Sequence, residues 1–251
     1  MRFFSILVTV VGYAVLLVMC IIFLVASALA LVVCYPFDPK RRVVHNLSRC
    51  LVYLFFGLIF RPFWRCQVEG LENIDRKKSY VVLLNHSNMN DIPILYFLPL
   101  DFRWVSKQEV FKVPIIGQFL LLHGDILIER GNPSVAMGKV RAEGREWLKR
   151  GVSVAIFPEG TRSRSGELLR FKSGAFRLAQ EAGVEILPVV ADGTKSLIAS
   201  NGVMGFRGRV KLRVLPAVSA QRVAQTELKD LVDEVRTQMK EALEDVRAKA
   251  N

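Results

Sequence analysis

Between Phe3 and Tyr35 there is not one charged residue, and Arg2 is the only charge in the first 35 positions. A bilayer core needs about 20 helical residues, so this run is long enough to cross with a tilt, or to bend partly into the interface. A cleaved signal peptide fits poorly. The run is about twice the usual 7–15 residue apolar core and continues past Ala28-Leu29-Ala30, a small-residue site. A core helix of a soluble domain seldom lacks a polar face over such a length. The segment is read as an uncleaved membrane anchor.

Cysteine and histidine are scarce as well. Cys20, Cys34, Cys50 and Cys66 stand 14–16 positions apart, without the paired C-x-x-C spacing of zinc or redox sites, and are read as small apolar packing residues. The three histidines form no metal-ligand pattern, so no metal is invoked. No Walker loop is present, because no Gly-Lys-Ser/Thr follows a first glycine at the required interval. Internal repeats, low-complexity linkers and nucleic-acid reader motifs are absent too. Lys and Arg total 35 against 23 Asp and Glu, a formal net charge of +12. Beside an anchor, that charge suits an anionic membrane surface or a phosphorylated substrate better than nucleic acid. Lys40, Arg41 and Arg42 follow the apolar run, against Arg2 before it, which directs the bulk of the chain to the cytoplasm.

After Pro36-Phe37-Asp38-Pro39 comes a second apolar segment, Leu51 to Phe60, fenced by arginines and Trp64 and too short to cross. It reads either as a helix in the headgroup layer or as a core helix of the globular part. Residues 1–66 are thus expected to form the anchor and interfacial helix, and 67–251 an α/β domain. Candidate strands are Ser79–Leu84, Asp125–Glu129, Val152–Phe157, Ile186–Ala191 and Val210–Leu215. Candidate helices are Ile92–Phe97, Ser134–Arg150, Gly174–Ala182 and Glu227–Lys249, the last with a helical apolar stripe suited to docking. Strands alternating with helices predict an α/β fold, a mostly parallel sheet flanked by helices, with active groups at the strands' carboxyl ends.

Two polar clusters leave such strand ends. Asn85-His86-Ser87-Asn88-Met89-Asn90-Asp91 follows the first strand. An imidazole takes a proton near neutral pH, and a carboxylate fixes its tautomer and stabilises the cation. On one helix a five-residue step is about 140° of rotation, so His86 and Asp91 meet only across a strand-to-helix turn, which the Asn and Ser residues permit. The plainer reading makes Asp91 a helix cap and His86 a loop residue. With no serine or cysteine nucleophile signature nearby, a base here acts on a substrate hydroxyl. The second cluster, Phe157-Pro158-Glu159-Gly160-Thr161-Arg162-Ser163, is followed by Arg164, Arg170 and Lys172. Glycines that permit close backbone approach, with cationic donors, suit a phosphate; a solvated basic loop is the alternative.

Together with the anchor, these blocks resemble the glycerolipid acyltransferases of the lysophosphatidic acid type. The resemblance rests on an N-H-x-x-x-x-D box (Asn85–Asp91), a G-x-x-x-I-x-R block (Gly124–Arg130), the F-P-E-G-T-R-S block (Phe157–Ser163) and an apolar-proline block, Leu187-Pro188-Val189-Val190. They stand in family order, and Glu129 departs conservatively from an Asp that is common there. The resemblance implies acyl transfer from acyl-CoA or acyl-carrier protein to the sn-2 hydroxyl of 1-acylglycerol-3-phosphate, giving phosphatidic acid without an acyl-enzyme or a cofactor. His86 would be the general base and Asp91 its orienting partner. Arg162, Arg130 and Lys107 would hold the phosphate, while Asn85, Glu159, Gly160 and Thr161 would shape the acceptor pocket. Another lysolipid or glycerol-3-phosphate as acceptor, and a non-catalytic binder of anionic lipid, are the competing readings.

Overall fold

The computed structural model describes residues 2–129, 133–199 and 201–248, without the side chains of 2–4 and 133–136. The charge-free run is a single helix, α1 (Arg2–Cys34). Within Ser5–Cys34 the most apolar 18-residue window has a mean hydropathy of 3.1 and is only 6% buried, so the helix is long and apolar enough to cross a membrane. Its other face is held by the protein. Tyr13 Oη donates to Gly202 O at 2.9 Å, the Met204 N–H donates to Thr9 Oγ1 at 3.2 Å, and Val8, Val15, Leu16 and Met19 pack on the core.

The second apolar segment is packed on one face and exposed on the other. α2 (Arg42–Val52) continues into a π-helical stretch, Tyr53–Ile59. Val52, Phe55 and Phe60 are buried in the core, where the Phe60 ring stacks on Trp64 at 4.4 Å, whereas Leu58, Ile59 and Tyr53 are exposed. Burial raises the Cys66 thiol to about 12, consistent with a packing role, but Cys50 is exposed on α2 and is not a packing residue.

The remaining elements alternate as the sequence predicts. β1 (Trp64–Glu69), β2 (Tyr80–Leu84), the one-turn α3 (Asp91–Ile94), β3 (Phe102–Lys107), α4 (Gln108–Phe111), α5 (Ile116–His123) and β4 (Ile126–Ile128) come first. Then follow α6 (Pro133–Lys149), β5 (Ser153–Ile156), α7 (Gly174–Ala182), β6 (Glu185–Asp192), β7 (Gly208–Val214), α8 (Ala220–Gln225) and α9 (Leu228–Ala248). The strands form one seven-stranded sheet in the order β1-β7-β6-β2-β5-β3-β4, and only β6 and β7 pair antiparallel. β1 begins before the expected boundary between residues 66 and 67 and pairs with β7 from Trp64 onward.

Alternation along β2 separates two helical layers. Tyr80, Val82 and Leu84 face the core shared with α1 and the π-helical stretch, while Val81 and Leu83 face α6, α7 and α9. The stripe expected on the last helix is the buried face of α9: Leu231, Val232, Val235, Met239, Leu243 and Val246.

A buried polar cluster fastens α2 to the β3–β4 edge. His45 Nε2 lies 2.8 Å from Leu100 O, His45 Nδ1 lies 2.9 Å from His123 Nε2, and His123 Nδ1 lies 2.7 Å from Asp125 Oδ1. A carbonyl only accepts, so with both rings neutral the hydrogens run in one direction. His45 Nε2 donates to Leu100, His123 Nε2 donates to His45, and the third proton belongs to Asp125. Burial raises the Asp125 carboxyl to about 8, against the opposing pull of the Trp104 N–H and of Arg103 and Arg41, and burial holds His123 well below the ordinary histidine range. Beside them the fully buried Arg103 donates to Asp101 Oδ1 and Phe102 O, both at 2.7 Å, and to Lys40 O, and lies over the Trp147 ring.

The stability sign follows from those two shifts. Asp125 holds its proton more tightly when folded, so its contribution is present at low pH and is lost as pH rises toward about 8. His123 runs the other way, losing its contribution as pH falls through about 6.5. Below about pH 6.5 these two trends oppose, and His45 follows His123; above it, of the three, Asp125 alone changes. We expect thermal unfolding in detergent to show stability falling by roughly 2 kcal/mol between pH 6.5 and 8. Asp125→Asn, which removes the titrating carboxyl, should flatten that fall. An identical pH profile in the variant would reject the buried proton.

Candidate active site

The carboxyl ends of β6, β2, β5, β3 and β4 share one edge of the sheet, and every described residue expected to act lies along it. β2 ends where Asn85 takes over the ladder. Its Nδ2 donates to Ala191 O at 2.9 Å and its Oδ1 accepts the Ala191 N–H at 2.7 Å. Both polar atoms of this buried amide are engaged by β6. Asn85 thereby sets the exit angle of the chain that carries His86.

The turn that follows closes as its composition requires. Asn88 Oδ1 accepts the Asn90 N–H at 3.0 Å, an Asx turn, and α3 starts at Asp91. The Asp91 side chain points back into the turn. Its Oδ2 lies 3.0 Å from His86 Nδ1 and accepts the N–H groups of Ser87 at 2.6 Å and Asn88 at 2.7 Å. Its Oδ1 accepts the Thr194 hydroxyl at 2.5 Å. An oxygen that takes two backbone N–H groups is an acceptor, so His86 carries its hydrogen on Nδ1 and presents the Nε2 lone pair. The ring itself is braced: it stacks on Phe157 at 3.8 Å between centroids with planes 13° apart, and Phe157 stacks on Trp104 at 4.8 Å.

The F-P-E-G-T-R-S loop leaves β5, the neighbour of β2, and wraps the same residue. The His86 N–H donates to Glu159 Oε1 at 2.7 Å, and His86 O accepts the Ser163 N–H at 2.7 Å. Glu159 Oε2 accepts the Leu169 N–H at 2.9 Å. Burial raises the Glu159 carboxyl, while its two N–H donors and His86 pull the other way. Glu159 thereby braces two loops together. At Gly160 φ is +69°, and a Cβ there would come within 2.8 Å of Lys172 Nζ, so the lysine stem rests on this glycine. Thr161 and Arg162 are exposed at the loop's crest, with Arg162 next in sequence to the residue bonded to His86. Arg236 of α9 donates to Leu168 O and Leu169 O, both at 3.0 Å, and Arg247 donates to Gly166 O at 2.7 Å, so α9 also holds this loop.

Lys107 ends β3, two strands from β2 and hence about 10 Å across the sheet. Arg130 follows β4 and lies outside the described residues. Thr194 was not expected at the site. Its signal in the sequence is slight: a Gly193-Thr194 pair directly after a buried strand that neighbours β2.

The family model described as Acyltransferase matches residues 65–192. The chloroplastic 1-acyl-sn-glycerol-3-phosphate acyltransferase of Arabidopsis thaliana is 34% identical over 180 residues, covering 71% of this chain and 49% of that protein. The chain thus spans about half the length of that relative. The 1-acyl-sn-glycerol-3-phosphate acyltransferase of Escherichia coli is 34% identical over 194 residues, covering 75% of this chain and 78% of that protein. The crystal structure of the 1-acyl-sn-glycerophosphate (LPA) acyltransferase of Thermotoga maritima superposes with a TM-score of 0.69 at 25% identity, covering 94% of this chain and 98% of that one. With a family model covering half of its length and relatives of this identity, the chain belongs to the acyltransferase family.

Proposed function

We propose that this protein transfers an acyl group from a thioester, acyl-CoA or acyl-carrier protein, to the sn-2 hydroxyl of 1-acylglycerol-3-phosphate, giving phosphatidic acid. The observation that carries the reading is the 3.0 Å His86–Asp91 pair, wrapped by the arginine-bearing loop through the Ser163–His86 hydrogen bond. The names of the relatives supply the acceptor class. His86 Nε2 takes the hydroxyl proton as the oxygen attacks the thioester carbonyl. Asp91 stabilises the imidazolium. The tetrahedral intermediate then expels the thiolate, which recovers the proton from His86. No acyl-enzyme forms and no cofactor is needed. Arg162, with Lys107 and Arg130, holds the acceptor's phosphate by charge-assisted hydrogen bonds.

The exposed apolar face of α1 supports a membrane location for this chemistry, and Lys40, Arg41 and Arg42 after it support a cytoplasmic domain. Acceptor and product are then lipids whose chains stay in apolar surroundings; exposing them to water would cost about 0.8 kcal/mol per CH₂.

His86→Ala is expected to lower turnover by about 10²-fold or more while vesicle binding is kept. A protein that only binds anionic lipid would show no activity for that substitution to remove. Arg162→Ala should mainly raise the apparent KM for lysophosphatidate, and an unchanged KM would argue against its phosphate contact. Thiol release measured with several acceptors tests the headgroup: transfer to lysophosphatidate no faster than to lysophosphatidylcholine would reject the acceptor assigned here.

A further inference from the structure

Asp91 is completely buried, and its two oxygens are held differently. Oδ2 meets His86 and two backbone N–H groups, all from its own turn. Oδ1 meets one donor, the Thr194 hydroxyl, delivered from the carboxyl end of β6 on the side of β2 away from Phe157. That hydroxyl has a single hydrogen, and a carboxylate oxygen at 2.5 Å can only accept it. Thr194 is itself fixed. It is buried, its carbonyl accepts Asn90 Nδ2 at 3.2 Å, and it follows Gly193, whose φ of +84° leaves no room for a Cβ 1.9 Å from Arg209 O. Ser87 Oγ lies 3.4 Å from the Thr194 hydroxyl oxygen and can donate to it.

We infer that Thr194 is a positioning residue for the acyl transfer: its hydroxyl sets the plane of the Asp91 carboxylate, and through it the ring that removes the acceptor's proton. The inference rests on His86 being the base. Without the hydroxyl, Oδ1 would be a buried carboxylate oxygen short of its donor, and the carboxylate would tilt toward another one at the expense of the Oδ2–Nδ1 contact. A donor to each oxygen holds the plane that faces Nδ1. The cost of losing Thr194 should fall on turnover and not on acceptor binding, because its hydrogen bonds run to Asp91, Asn90 and Ser87 of the turn that carries His86.

The test compares Thr194→Val, Thr194→Ser, Asp91→Asn, the Thr194→Val/Asp91→Asn double variant and His86→Ala, each with its unfolding midpoint. Thr194→Val should lose roughly 10- to 100-fold in kcat, the range for a hydrogen bond to a charged group, with the KM for lysophosphatidate little changed. Thr194→Ser should restore most of the rate. A residue that acts through Asp91 adds no further loss in the Asp91→Asn background, whereas a general packing role costs the same there. Wild-type turnover in Thr194→Val with His86→Ala inactive would overturn the role of Thr194 alone, as would independent, multiplying effects in the double variant. An active His86→Ala would overturn the base and Thr194's role with it. Should Thr194→Val fail to fold, Thr194→Cys, with its weak S–H donor, is measured against the same outcomes.

Discussion

A carboxylate with no access to water must be met by donors, and at Asp91 that requirement organises the whole site. Its donors come from the turn after β2 and from the segment after β6. They converge only because β2 lies between β6 and β5 with every side chain buried. On one side Asn85 and Thr194 knit the β2 exit to β6; on the other, Glu159 and Ser163 close around the His86 backbone from β5. The imidazole is therefore fixed from three strands, while among the described residues its ring has one side-chain hydrogen bond, to Asp91.

Much of this was legible because it depends on local pattern. The unbroken apolar run of β2, the turn formers after it and the helical stripe of α9 each report their own burial. What was missed lies where a polar group interrupts the pattern or where long-range pairing decides. β3 carries Arg103 in its interior, and a fully buried arginine reads as a break until its partners Asp101, Phe102 O and Lys40 O are seen. β1 was hidden beneath the arginines and aromatics that suggested an interface, and only its pairing with β7 makes it a strand.

The site residues divide along the same line. His86 and Asp91 are five apart and were legible as a pair. Glu159 and Asn85 stood in the right blocks, but their oxygens and amide answer to backbone groups far away in sequence. Residue type identified where they sit, not what they hold. Thr194 contributes a single hydroxyl from a distant segment, a contact that only the sheet order reveals.

The second buried network gives the anchor a geometric consequence. Apolar contacts alone would let α2 slide or roll on the sheet at little cost, since dispersion has no direction. The chain of bonds from Leu100 through His45 and His123 to Asp125 does have direction, and it ends on the backbone of Trp104 in β3. Trp104 also carries the stack that supports His86 through Phe157. The helix that follows the membrane segment and the ring that accepts the proton are thus registered to the same residue, from its backbone on one side and its indole on the other. Under the proposed reaction, the depth at which α2 sits therefore bears on the height of the base relative to the lipid headgroups.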